Sequence, residues 1–102
     1  MARIAIAPDW PHAEFSRFLP TAREGGRWHV QIMGEGPDLL LLHGAGGATQ
    51  SWRGLMPILA RRYRCIALDL PGQGYSRASA PGRYGLDPLA SDITALGARE
   101  GW

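Results

Sequence analysis

Apolar and polar residues change rhythm several times along this chain, and each change marks an element. From Ser16 onward, SRFLPTA (16–22) and RWHVQIM (27–33) have strand character and are separated by REGG, which reads as a hairpin turn. In the second segment Trp28, Val30 and Ile32 alternate with His29, Gln31 and Met33, so one face is apolar. GEGP makes another turn. DLLLLHG is then continuously apolar, the pattern of a parallel strand buried on both faces. Beyond a glycine-rich turn, Trp52, Leu55, Met56, Leu59 and Tyr63 recur at helical spacing. Thr49 or Ser51 can cap this helix, and Pro57 inside it predicts a kink or a restart after one loose turn. RCIALDL is a second buried strand, and PGQGYSRASAPGRYG is a loop rich in Gly, Pro and Ser. Asp87 then caps a helix with Pro88 at its first position and Leu89, Ile93 and Leu96 on one face.

The expected order is a β-hairpin followed by β-α-β-α, an α/β fold whose central strand–helix–strand requires a parallel pair. Pro8 and Pro11 flank Asp9 and Trp10 in an arm, residues 1–15, that reads as irregular, with a single domain over 16–102. The last helix leads into no further strand. The expectation is therefore a truncated sheet, with residues 39–42 at an uncharged apolar edge prone to pairing with other chains.

Composition narrows the possibilities modestly. A chain of 102 residues, 45% of them apolar, can build one small core. The net charge is +2 and all eleven basic residues are Arg. Their one local cluster, Arg61, Arg62 and Arg64, reads as cations complementing a helix end, since a nucleic-acid surface needs basic charge gathered on one face with aromatics between. The lone Cys65 excludes an intrachain disulfide and reads as a small core residue. The opening MARIAIAPDWPH is too short for a signal peptide, and no run approaches the ~20 apolar residues of a membrane span. The expectation is a soluble, cytoplasmic protein that binds no nucleic acid.

The glycine loop at 43–47 admits two chemistries. Gly44, Gly46 and Thr49 make G-x-G-x-x-T between a strand and a helix, and Asp69 ends the next strand where a ribose-binding acid would stand. The third glycine of the dinucleotide motif is missing, however, and the chain has no Lys for a P-loop. The alternative is a loop that turns its backbone N–H groups toward a developing oxyanion, for which closely spaced glycines allow the sharp turn and close approach.

Taken together and in order, HGAGG (43–47), SW (51–52) and ALDLPGQGYS (67–76) resemble the front half of the α/β-hydrolase fold. The resemblance implies a three-layer αβα architecture in a complete member, of which this chain is an N-terminal fragment ending before the nucleophile elbow. It implies oxyanion-hole backbone donors at Ala45 and Gly46, with His43, Gly44 and Gly47 supporting the loop and Asp69 structural. Gln73 stands where many relatives carry His. The elbow G-x-S-x-G is absent; its nearest imitation, Gly74-Tyr75-Ser76-Arg77-Ala78, lies inside a loop, so Ser76 reads as a serine bonded to its local backbone. Ser51, Ser79 and Ser91 have no elbow context, and spacing suggests no acid partner for His12 or His29. No catalytic residue, cofactor or metal ligand is assigned.

RWHVQIMGEGPDLLLLHGAGGATQSWRGLMPILA is also similar to the α/β-hydrolase-like accessory proteins of magnesium chelatase from bacteriochlorophyll-synthesis gene clusters. That resemblance implies assistance to Mg²⁺ insertion into protoporphyrin, a step of photosynthetic pigment synthesis, with chelatase subunits or a porphyrin as partners. A general serine esterase or C–C hydrolase, acting on a small ester-like substrate, and a small dinucleotide-binding module are the competing readings.

Overall fold

In a computed structural model that describes residues 5–79 and 85–102, the hydrophobic rhythm resolves into one mixed sheet with helices on both faces. Its strands are β1 (Ser16–Pro20), β2 (Arg27–Met33), β3 (Asp38–Leu42) and β4 (Arg64–Leu68), ordered β1-β2-β4-β3. β1 pairs antiparallel with β2, β2 antiparallel with β4, and β3 runs parallel to β4. Helix α1 (Met56–Leu59) lies between β3 and β4 and α2 (Leu86–Glu100) follows β4, with 3-10 turns at Ala13–Phe15 and Thr49–Trp52. Residues 1–4 of the arm and 80–84 of the Gly/Pro loop lie outside the described residues.

Alternation along the strands divides the core in two. Trp28, Val30, Ile66 and Leu68 face α2 and meet its Leu96, with Ile32, Leu89, Ile93 and Trp102 packed around them. Leu41, Cys65 and Ala67 point to the other face, where Met56 of α1 closes over them with Trp52 and Leu59. The opposite side of β2 is not solvated either. His29 and Gln31 are fully buried there, and Gln31 Nε2 donates to the carbonyls of Pro11 (2.9 Å) and His12 (3.1 Å), so the N-terminal arm covers this end of the sheet.

Four expectations need correction. The helix expected from Trp52 to Tyr63 is broken into the Thr49–Trp52 turn and the short α1. Pro57 sits in the first turn of α1, the one place where its missing N–H costs nothing, so of the two outcomes expected at this proline, a kink or a restart, the helix restarts. The second correction concerns α2, which starts at Leu86 with Gly85 as its N-cap, placing Asp87 and Pro88 inside the first turn. Asp87 still lies where a negative charge favours the helix dipole.

The third correction is to β3. Its side chains alternate: Leu41 is buried toward α1, whereas Leu40 and Leu42 on the other face are 38% and 43% exposed. α2 lies over β2 and β4, and does not extend across β3. What remains is an open groove of about 510 Å³ between β3 and α2, lined by Leu40, Ile66, Ile93, Gly97, Ala98 and Trp102 among others. Arg64, expected at a helix end, instead opens β4 and pairs with Asp38 at 3.0 Å across the parallel strands.

Because Leu96 is the fully buried anchor of α2, Leu96→Ala should lower unfolding stability by about 2–5 kcal/mol. Leu40→Ala, on the exposed face of β3, should cost less than about 1 kcal/mol. Urea denaturation midpoints of the two variants measure the difference, and equal losses would contradict this placement of the core.

Candidate functional site

The loop 43–48 leaves the carboxyl end of β3 beside the carboxyl end of β4, the side of a parallel sheet where α/β proteins bind ligands. His43, buried at this end, ties the two strands together. Its Nε2 accepts the N–H of Leu70 at 2.9 Å, which leaves Nδ1 to donate to the Gly44 carbonyl at 2.7 Å. The imidazole thereby has both nitrogens occupied and bridges the loop to the segment after β4. Gly47 N–H closes the turn onto Gly44 O at 3.0 Å, and Gly46 takes a left-handed φ of +80°. Gly44, Ala45 and Gly46 are exposed. The Ala45 N–H has no acceptor among the described residues, while Gly46 N–H donates to Gln73 Oε1 at 2.8 Å.

Behind this loop lies a buried carboxylate with three hydrogen-bond donors. Asp69 is fully buried, and its Oδ1 accepts Thr49 N–H at 2.6 Å. Oδ2 accepts Tyr75 N–H at 2.8 Å and His29 Nδ1 at 2.6 Å. Burial pushes the carboxyl pKa up, but the hydrogen bonds from His29, Tyr75 and Thr49 and the imidazole charge outweigh it, and the net value falls below the ordinary 3.8. Gly74 belongs to the same device. It has a left-handed φ of +53°, and a Cβ there would collide with the Asp69 carboxylate. Ser76 Oγ then accepts His29 N–H at 2.8 Å. The motif D-L-P-G-x-G-x-S is thus one assembly that docks residues 69–76 onto β2 and onto the start of the Thr49–Trp52 turn.

Several residues change meaning in this light. Ser76 is not bonded to its local backbone through its hydroxyl, as expected, but to β2 across the sheet, and it is buried. His29, for which spacing suggested no acid, is paired with Asp69 forty residues away. Its Nε2 also meets Ser16 Oγ at 2.8 Å. Ser16, His29 and Asp69 thus repeat the order of a serine–histidine–acid relay, yet His29 and Asp69 have no exposure, and the Phe18 ring, tilted, and the Tyr75 ring, edge-on, pack against the imidazole. The relay is a structural clasp. His12 meets the carbonyl of Arg53 at 3.0 Å, away from any acid. Thr49 Oγ1 accepts the Trp10 indole N–H at 3.0 Å, and it is Ser51 Oγ that accepts the Ala48 N–H, at 3.3 Å.

The same geometry argues against a dinucleotide site. An acid reading a ribose must face the ligand, whereas Asp69 is sealed and fully bonded. The element after the loop is a four-residue 3-10 turn, too short to direct a helix dipole at a phosphate. Cys65 lies in the apolar layer under α1, where burial raises its thiol pKa and leaves it inert. Among the described residues no group of three or more His, Cys, Asp or Glu side chains could hold a metal ion.

The Asp69 clasp predicts an acid-sensitive fold. Since the folded pKa lies below 3.8, the ionised carboxylate contributes its full stability above that value, and the contribution is lost as pH falls through the lower folded pKa. Melting temperatures measured from pH 7 to pH 2.5 should therefore drop steeply at the acid end. Asp69→Asn should flatten that drop and lower neutral-pH stability by about 3–5 kcal/mol, the range for breaking a buried pair.

Comparison with known proteins agrees with this architecture. The alpha/beta hydrolase fold family matches residues 37–101. The magnesium-chelatase 30 kDa subunit of Rhodobacter capsulatus is 43% identical over 96 residues, covering 90% of this chain and 32% of that protein. A pimeloyl-[acyl-carrier protein] methyl ester esterase of Aeromonas hydrophila is 45% identical over 67 residues, covering 66% of this chain and 26% of the esterase. Among solved structures, the epoxide hydrolase VrEH1 of Vigna radiata superposes with a TM-score of 0.74 at 35% identity, over 85% of this chain and 28% of that one. The chain thus spans about a third or less of the length of these relatives. With a parallel β3–β4 pair, a glycine loop at its carboxyl end and a family match over most of its length, the chain belongs to the α/β-hydrolase fold family.

Proposed function

We propose that this chain is the front part of a magnesium-chelatase accessory protein, in which the loop after β3 presents the Ala45 and Gly46 N–H groups to an anionic oxygen of the bound molecule. The observation that carries the site is the exposed loop 44–46 at the carboxyl end of β3, held by the His43 bridge, with the Ala45 N–H without an acceptor among the described residues and the Gly46 N–H held by the Gln73 side chain. The chelatase assignment rests on the 43% identity with the R. capsulatus subunit over nearly the whole chain. Fixed backbone donors suit this task because they need no reorganisation when charge develops or arrives on the oxygen. His43, Gly44 and Gly47 hold the loop in shape. Protoporphyrin, the acceptor of Mg²⁺ in the chelatase reaction, carries carboxylates that such donors would bind. Chelatase subunits are the protein partners of this reading, and the cytoplasm is its compartment, in bacteriochlorophyll synthesis.

A second reading is favoured by the esterase relatives: the loop would stabilise the tetrahedral oxyanion formed from a small ester, in an esterase or C–C hydrolase. In this chain neither Ser76 nor His29 is free to serve as nucleophile or base, since both are enclosed in the Asp69 clasp.

The test is direct. Titrating protoporphyrin and the chelatase subunits into the purified chain should produce complexes detectable by fluorescence quenching and co-elution, with amide shifts at Ala45 and Gly46 in NMR spectra. Simple esters should turn over no faster than with Ser76→Ala. Absence of both complexes, together with ester hydrolysis that Ser76→Ala abolishes, would overturn the assignment.

A further inference from the structure

The hydrogen bond between Gly46 N–H and Gln73 Oε1 has a consequence for what the loop can bind. Gln73 lies 27 residues downstream of Gly46, in the segment that the Asp69 clasp docks beside the loop. Its backbone is pinned on both sides: its N–H donates to Leu70 O at 2.9 Å, and its carbonyl accepts Ser76 N–H at 3.0 Å. Only the side chain is left to move, and it places an amide oxygen 2.8 Å from one of the two amides assigned to oxyanion binding.

We propose that Gln73 is a specificity-determining residue that covers the Gly46 amide with an internal carbonyl, so that the loop discriminates in favour of anionic oxygens. The proposal rests on the oxyanion-loop reading above and adds the source of its selectivity. An incoming ester or amide carbonyl that displaces the Gln73 oxygen exchanges one neutral hydrogen bond for another and gains almost nothing. A carboxylate, or an oxyanion formed during reaction, replaces a neutral acceptor by a charged one, and charge-assisted hydrogen bonds are roughly twice as strong. Ground-state carbonyls are thereby held weakly and charged oxygens strongly, the differential that a catalytic or carboxylate-reading loop requires. Gln is suited to the role because its oxygen is neutral at every pH. A carboxylate at the same position would hold the amide tightly and repel an anion, and a side chain without an acceptor would leave the amide open to any carbonyl.

Two probes applied to the ¹⁵N-labelled 102-residue chain separate these cases: acetate as the anionic oxygen and N-methylacetamide as the neutral one, each followed at the Ala45 and Gly46 amides. In the wild-type chain acetate should shift the Gly46 resonance and N-methylacetamide should not. Gln73→Ala should speed hydrogen exchange at Gly46, bring N-methylacetamide into binding, and tighten acetate by about five- to tenfold, the worth of one released hydrogen bond. Gln73→Glu should slow that exchange and abolish acetate binding at neutral pH. Loss of the preference in Gln73→Ala and loss of anion binding in Gln73→Glu, with the fold unchanged, form a pattern that a purely structural role would not produce. Equal Gly46 exchange and equal acetate affinity in all three chains would overturn the Gln73 assignment alone. Faster Gly46 exchange in Gln73→Ala, with no acetate response at Ala45 or Gly46 in any chain, would overturn the oxyanion reading itself.

Discussion

A carboxylate with no access to water must find its hydrogen-bond donors inside the protein, and Asp69 draws them from three separate parts of the chain. His29 comes from β2, Thr49 from the turn after the glycine loop, and Tyr75 from the segment beyond β4. An unpaired buried charge is prohibitively costly, so these three segments can occupy only the one arrangement that surrounds the carboxylate. Gly74 and Ser76 extend the constraint, the first by its missing Cβ and the second by its bond to the β2 backbone. The geometry of the candidate site follows from this clasp. Thr49 fixes where the glycine loop ends, and Tyr75 fixes where Gln73 stands.

The sheet provides the frame on which the clasp is built. β4 is its centre, apolar on both faces, with Ile66 and Leu68 toward α2 and Cys65 and Ala67 toward α1. The parallel pairing of β3 with β4 brings His43 and Leu70 together at the same end, and the imidazole joins them. β3 is apolar on both faces as well but has a neighbour on only one side, which leaves Leu40 and Leu42 exposed, Leu40 along the groove beside α2. The exposed loop and the exposed strand are therefore adjacent features of one edge.

Two assemblies of polar side chains in this fold look alike and do opposite things. Ser16, His29 and Asp69 have the connectivity of a catalytic relay, but enclosure turns them into a rigid support. The glycine loop has no reactive side chain, yet its residues 44–46 are exposed and its Ala45 N–H has no acceptor among the described residues. Exposure and the availability of a hydrogen-bonding group separate the two. Residue type does not.

Local pattern was enough for the strands. β2 occupies the whole of RWHVQIM, and the apolar runs DLLLLHG and RCIALDL contain β3 and β4, because strand pattern and turn residues are properties of neighbouring positions. The order of HGAGG and DLPGQGYS was likewise sufficient to place the chain in its family. The sequence by itself also determined that Asp69 ends a strand and that glycines follow His43. Only the tertiary structure decided that Asp69 meets His29, that Ser76 reaches β2 and that Gln73 covers Gly46, since these pairs are separated by 40, 47 and 27 residues. It also decided that one face of β3 stays open, because burial depends on whether another element crosses a strand, and α2 packs on β2 and β4 and is tied to Pro20 of β1 by Arg99 without reaching across β3. A carboxylate advertises neither its burial nor its partners in the residues beside it; both arise when distant segments close around it.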